Sequence, residues 1–288
     1  MATTTANLGL TKPDYTEKAD IAVINGNMDK IDTAVQQRDR VWNLLDNSDF
    51  RNPVNQRGNT TYAGNMYTID RWRLWSADGA ITLTSEGIKG NGAASSTLYQ
   101  FVETQKVRLN TVYTVAAGYS DGTIECGSGM FTSSNDIGVW NATAQAYLAY
   151  NSGKPFVRLW HATKTVRWVA LYEGEYTAET LPAYVPKGYA AELMECQRYY
   201  QTVSTHTSAI IVSKTNRAYI CNFRTRMRAT PTVTVTSLAE YDNWTQTGAT
   251  SNVNTVHPEY TRIYALGDVS HTNFGYWANI TVAASADL

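Results

Sequence analysis

Cysteine is scarce: Cys126, Cys196 and Cys221 are the only three in 288 residues. An odd, scattered set argues against a disulfide framework and fits assembly in a reducing compartment. Histidine is nearly as rare, and His161, His206, His257 and His271 stand far apart. No His-x-His, His-Glu-x-x-His or Cys-x-x-Cys spacing occurs, so no metal-ligand or zinc-hydrolase pattern is present. A serine-hydrolase Gly-x-Ser-x-Gly elbow is also missing. The glycine-rich stretch from Gly87 to Gly92 lacks a phosphate-loop Lys-Ser/Thr and reads as a hairpin turn. Charge is sparse at 17%, below the average of about 25%. Its net value of -1 gives no global attraction to nucleic acid. No apolar run approaches the roughly 20 residues of a membrane span, so membrane insertion is not expected. The first residues show no basic region before an apolar run, so no signal peptide is expected.

What is plentiful is amphipathic aromatic residues, 19 Tyr and 8 Trp against 6 Phe, which suit wet binding surfaces. Three segments carry them. Residues 1–42 form an arm followed by a helix. The pair Asp14 and Glu17 has capping-box spacing and predicts the helix start. Ile21, Ile24, Met28, Ile31 and Val35 then recur at three- and four-residue intervals, a coiled-coil seam, with Trp42 in register beyond Arg38. Isoleucine at both seam positions favours trimers or tetramers over dimers. The same spacing also fits an amphipathic helix packed on its own domain.

Residues 43–187 read as β. Strands are predicted at Ile81–Thr84, Val107–Leu109, Val112–Ala117, Phe156–Trp160 and Val166–Tyr172, with turns at Asp78-Gly79, Asn91-Gly92, Asp121-Gly122 and Ser152-Gly153. Many short strands at this spacing predict a jelly-roll sandwich. In the connector, residues 188–201, Tyr189, Leu193, Cys196 and Tyr200 share one helical face. Residues 202–288 predict a second, smaller sandwich whose last strand alternates as Phe274, Tyr276, Ala278, Ile280 and Val282. The expected fold is thus mainly β: an N-terminal helix with a coiled-coil seam, which the resemblance described below makes trimeric, followed by two β-sandwiches.

A sugar offers an apolar C–H face beside hydroxyls, so a ring with flanking polar groups is the minimum equipment to bind it. Tyr241-Asp242-Asn243-Trp244 has that composition, and the polar stretch after it predicts an exposed loop. Trp277 lies opposite the apolar stripe of the last strand, exposed or between protomers. Trp72, Trp75, Trp140 and Trp160 are further candidates, although sandwich cores also use large aromatics. Asp46, Asn47 and Asp49 form an oxygen-rich cluster that suits calcium or an Asx-stabilised turn. The couples Asp121 with Glu125, and Glu173 with Glu175, read as exposed turn and edge charges rather than a hydrolase pair. No cofactor is expected.

Several stretches resemble phage tail proteins. Thr3-Thr-Thr-Ala-Asn-Leu-Gly-Leu-Thr-Lys-Pro13 and Asp20-Ile-Ala-Val-Ile-Asn-Gly-Asn-Met-Asp-Lys-Ile-Asp32 resemble particle-attachment segments of tail and baseplate-associated fibres. Asn43-Leu-Leu-Asp-Asn-Ser-Asp-Phe50, Asn52-Pro-Val-Asn-Gln-Arg-Gly58 and Asp70-Arg-Trp72 are similar to the opening of a jelly roll akin to carbohydrate-binding modules. Glu192-Leu-Met-Glu-Cys-Gln-Arg-Tyr-Tyr200 resembles the segment that closes this module, and Met227-Arg-Ala-Thr-Pro-Thr-Val-Thr234 the start of a tail-fibre tip domain. The resemblance implies a homotrimer with its N-terminus on a tail or baseplate protein of the particle. Its C-terminus would face a host cell-surface glycan or receptor. A structural adapter and a glycan-degrading depolymerase are the competing functions.

Overall fold

The computed structural model describes the chain except residues 1, 7, 15, 17–19, 41, 92–96, 133–138, 142–145, 152–153, 161–163, 214, 243–244, 248, 267–275 and 288. The side chains of 33–40, 139–141, 146–147, 149–151, 160, 242 and 245–246 also fall outside the description. The described chain is mainly β, built from several sheets and two helices.

At the N-terminus β1 (Thr3–Thr4) and β2 (Thr11–Lys12) form a small hairpin. It leans on α1 (Ile21–Arg40) through Asn27, whose amide donates to Thr11 O and accepts from Thr11 N–H, both at 2.8 Å. The helix starts later than the Asp14–Glu17 spacing predicts. Asp14 Oδ1 is taken by the N–H and hydroxyl of Thr16, and Asp20 Oδ1 instead accepts the Ala22 N–H at 2.9 Å. A side-chain acceptor at that place is what opens a helix. Trp42 lies past the end of α1 rather than extending its seam. Ile21, Ile24, Met28 and Ile31 are 39–68% exposed, so the chain does not cover its own apolar stripe there. Val35 is helical, with its side chain outside the described residues. A helix carrying Gly26 between two asparagines has poor intrinsic propensity, and such helices depend on packing.

The first sheet pair holds β3 (Thr61–Ala63), β4 (Arg73–Leu74), β5 (Ala80–Thr84), β6 (Gly87–Gly90), β7 (Thr97–Phe101) and β8 (Val112–Tyr119). It continues with β9 (Ile124–Met130), β10 (Val139–Asn141), β11 (Ala146–Asn151), β12 (Lys154–Trp160) and β13 (Thr165–Glu173). One antiparallel sheet runs β10-β11-β12-β7-β4, the other β3-β5-β6-β13-β8-β9. Leu98, Val157 and Leu159 of the first face Ile81, Val115, Val169 and Leu171 of the second in one buried core. Val107–Leu109, expected as a strand, is irregular chain entering a turn, with Val107 buried and Leu109 exposed.

The second sheet pair follows α2 (Tyr189–Gln197). Its strands are β14 (Tyr200–Ser208), β15 (Ile210–Ser213), β16 (Asn216–Asn222), β17 (Thr232–Asp242), β18 (Thr245–Gln246), β19 (Thr250–Val256), β20 (Tyr260–Leu266) and β21 (Tyr276–Ser285). The sheets run β14-β21-β17-β18 and β15-β16-β20-β19. Tyr219, Cys221 and Ile263 meet Ala278, Ile280 and Val282 between them. The buried positions of α2 are Glu192, Cys196 and Gln197, while Tyr189 is exposed. The stripe is therefore turned from the one the apolar residues predict, because Glu192 is drawn inward to accept the Asn47 N–H at 2.7 Å.

A polar joint ties the two sheet pairs together. Arg57 reaches Asp70 (2.9 Å) and Asp287 (3.0 Å), and its guanidinium lies 3.9 Å from the Tyr200 ring centre. Arg71 lies 3.5 Å from the Tyr199 ring centre and pairs with Asp46 at 3.2 Å. Gln56 donates to the Tyr200 carbonyl at 2.7 Å. The Asn43–Phe50, Asn52–Gly58 and Asp70–Trp72 stretches thus serve as the joint between the two sheet pairs.

Candidate ligand-binding site

Strict alternation along β21 buries Tyr276, Ala278, Ile280 and Val282 and turns Trp277, Asn279 and Thr281 outward. Register then aligns Ser208 with Trp277 and Tyr241, and His206 with Asn279 and Ala239. Tyr241 stacks on Trp277 with ring centres 4.2 Å apart and planes 14° from parallel. His206 lies 4.7 Å away, tilted by 48°. Its Nδ1 hydrogen-bonds Asn279 Oδ1 at 2.8 Å, and beyond it the Ser204 and Thr281 hydroxyls meet at 3.0 Å. The rings sit at one end of the sheet pair. The other ends of these strands, near Tyr200 and Ser285, adjoin the joint.

β14 and β17 flank β21, so His206 and Tyr241 cover the two flanks of the indole. The face thus presents mutually packed rings, Asn279 and the serine and threonine hydroxyls rather than a bare indole face. Among the described residues, no outward position of β14, β17 and β21 carries Asp, Glu, Lys or Arg, which suits a neutral, hydroxyl-rich ligand.

The row rests on a buried ion pair. Glu240, next to Tyr241 and pointing inward, accepts from Arg217 Nε and Nη2 at 2.7 Å each, from Tyr219 OH at 2.7 Å and from Thr247 OH at 2.7 Å. Arg217 also lies 4.8 Å from the ring centre of Tyr276, beside Trp277. Burial pushes the Glu240 carboxyl up, but hydrogen bonds from Arg217, Thr247 and Tyr219 outweigh it and leave it below its ordinary value. Sequence reasoning missed His206, Asn279 and this pair. Only the polar alternation Ser204, His206, Ser208 hinted at an outward face.

The other predicted positions divide clearly. Tyr241 and Asp242 end strand β17 instead of lying in a loop, and the stretch from Thr245 onward forms β18 and β19. Asn243 and Trp244 lie outside the described residues. Trp72 is a core residue: it is fully buried, edge-on to Phe50 at 5.2 Å, with Nε1 donating to Asn47 O at 2.8 Å. Trp75 is exposed, but Phe156 stacks on it and Arg158 lies 4.6 Å from its ring centre. Trp140 and Trp160 belong to β10 and β12, with side chains outside the described residues.

Of the two readings of Asp46, Asn47 and Asp49, calcium ligands or a turn held by their side chains, the partners they have here fit the second. Asp46 is buried against Arg71, Lys106 (2.7 Å) and Lys187 (3.3 Å). Burial pushes its carboxyl up, but those three cations outweigh it and hold it well below the usual carboxylate range. Asn47 bridges backbone groups of Val54 and Asp70, and Asp49 pairs with Arg51. Cations already occupy the carboxylates a metal would need. Asp121 and Glu125 face Lys164, and Glu173 pairs with Arg108.

No protein-family model matches the chain, and neither does any curated protein or solved structure.

Proposed function

We propose that this chain is a homotrimeric tail-fibre protein of a bacteriophage or phage-like particle, which attaches the particle to a cell-surface glycan. In this reading it is a binding protein rather than an enzyme, and it resides in the virion tail. The observation that carries the binding role is the uncharged outward face with His206, Trp277, Tyr241 and Asn279 at the end of the second sheet pair away from the joint. Ring edges and hydroxyls in one row match the mixed character of a sugar. The uncovered seam of α1 supports self-association, since an apolar stripe of this kind is normally buried by a partner helix. Three copies would turn weak single sites into firm attachment by raising the effective concentration.

The test is glycan-array and cell binding with the full chain. Trp277→Ala and Asn279→Ala are each expected to weaken binding about tenfold, near 1.4 kcal/mol, and Trp244→Ala, three positions from Tyr241 in sequence, is expected to do the same. Unchanged binding in both face variants would move the site elsewhere. Loss of the oligomer would instead mark this face as a contact between copies and favour the structural-adapter role.

A further inference from the structure

Where the start of α2 meets the Asn43–Phe50 stretch, the surface opens into a small cleft lined by Asp49, Asn52, Lys187, Gly188, Tyr189 and Glu192. Its volume of about 130 Å³ is well below the roughly 300 Å³ of a site that encloses a drug-sized molecule, so it admits the edge of a small polar ligand. Two of its charges are already engaged. Both Asp49 oxygens accept from Arg51, and Lys187 Nζ donates to Leu45 O and lies 3.3 Å from Asp46 Oδ1. Glu192 is engaged on one side only. It is 7% exposed, its Oε2 accepts the Asn47 N–H at 2.7 Å, and among the described residues no other donor reaches the carboxylate. Burial pushes this carboxyl up, as expected of an anion with too few donors. Spare donors lie at the same place. The helix starts at Gly188 (φ 86°) with no side-chain cap, so its first-turn N–H groups lack the acceptor that a serine or aspartate would supply. At the rim Asn52 is exposed, and the Tyr189 ring is 47% exposed.

Charge selects against ions of either sign. An anion at the helix start would meet the carboxylates of Glu192 and Asp49. A cation would meet the positive end of the helix and the Lys187 ammonium. A hydroxyl donates and accepts through one atom, so two hydroxyls on adjacent carbons can serve Glu192 and the uncapped N–H groups together. We propose that this cleft binds the vicinal hydroxyls of a neutral saccharide unit. Glu192 is the acceptor, the first turn of α2 is the donor, and Asn52 adds an amide at the rim. The Tyr189 ring supplies an apolar surface for the C–H face beside those hydroxyls. The site shares no residue with the face around Trp277 and stands whether or not that face binds sugar.

The experiment is saturation-transfer NMR titration of the full chain with maltotriose, mannotriose and galactotriose, with inorganic phosphate and calcium chloride titrated separately by calorimetry. At least one trisaccharide is expected to bind. Glu192→Gln should weaken it at least about tenfold, because a charged acceptor makes the stronger class of hydrogen bond. Tyr189→Ala and Asn52→Ala should weaken it measurably, and both positions are exposed, so they keep the test valid if Glu192 proves necessary for folding. Trp277→Ala should leave this binding in place. The proposal is overturned if none of the three sugars binds, or if binding ignores all three cleft variants. It is also overturned if phosphate or calcium binds in a Glu192-dependent way and no sugar does. Binding lost in Trp277→Ala but unchanged in the cleft variants would overturn this site while leaving the glycan-binding reading intact.

Discussion

Removing the Glu240 carboxylate should be among the most damaging single changes in the second sheet pair. Arg217 and Glu240 are 1% and 2% exposed, and the carboxylate accepts four hydrogen bonds at 2.7 Å. Glu240→Ala leaves the guanidinium buried with its principal anion gone and strips Tyr219 and Thr247 of their acceptor. Breaking a buried pair from one side costs about 3–5 kcal/mol. With a urea dependence of about 2 kcal/mol per molar, the unfolding midpoint of this unit should fall by about 2 M. Arg217→Met with Glu240→Leu removes both charges and should return stability to within about 1 kcal/mol of the parent, or above it. The pH dependence has a definite sign. Because the folded carboxyl lies below its ordinary value, the unfolded chain binds more protons near pH 4. The pair's contribution is complete above about pH 4.3 and is lost as pH falls through the folded value. The assay is urea unfolding followed by tryptophan fluorescence at neutral and acidic pH. A cost below about 1 kcal/mol for Glu240→Ala at neutral pH, typical of exposed pairs, would refute the reasoning.

Three further outcomes follow from the same geometry. In the proposed trimer, Ile24→Asp with Ile31→Asp should reduce the solution mass by light scattering from about three times 31.9 kDa toward 31.9 kDa, since both side chains lie on the exposed apolar stripe of α1. Burial raises the Asp70 carboxyl to about 6 against the pull of Arg57. The folded chain therefore holds this proton longer than the unfolded one, and the contribution of Asp70 to stability falls as pH rises from about 3.9 to 6 and is flat above. The stability difference between Asp70→Asn and the parent should change across that window and not beyond it. Gly118→Ala places a methyl 2.3 Å from the Trp168 ring and should cost about 1–3 kcal/mol by thermal unfolding, with no effect on mass.

The β character was legible wherever a strand has one wet and one dry face. Burial alternates along the whole of β21, and its buried stripe is the one the pattern predicts, over the described positions. The stretch from Thr250 to Val256 misled for the opposite reason. As β19 it is an edge strand of small polar residues, mostly exposed, so it has no hydrophobic period to read and looks like a loop. The helix start was misplaced because Asp14 and Asp20 are equally good caps by type. Only the local turn at Thr16 decides between them.

The sites were harder to read because their meaning lies in pairings that span long stretches of chain. Trp277 by composition is a ring with polar neighbours, a fair sugar-stacking candidate. Register brings His206 and Tyr241 to its two flanks from 71 and 36 residues away, which takes away the bare face and leaves a row of edges. Asp46 and Asn47 look like oxygen ligands until Arg71, Lys106 and Lys187 arrive from the far side of the fold. In each case local residue type named the available chemistry, and the antiparallel register decided whether that chemistry faces a ligand or is consumed inside the protein. A sheet imposes this because it sets residues tens of positions apart about 5 Å from one another, a distance at which rings stack and charges pair.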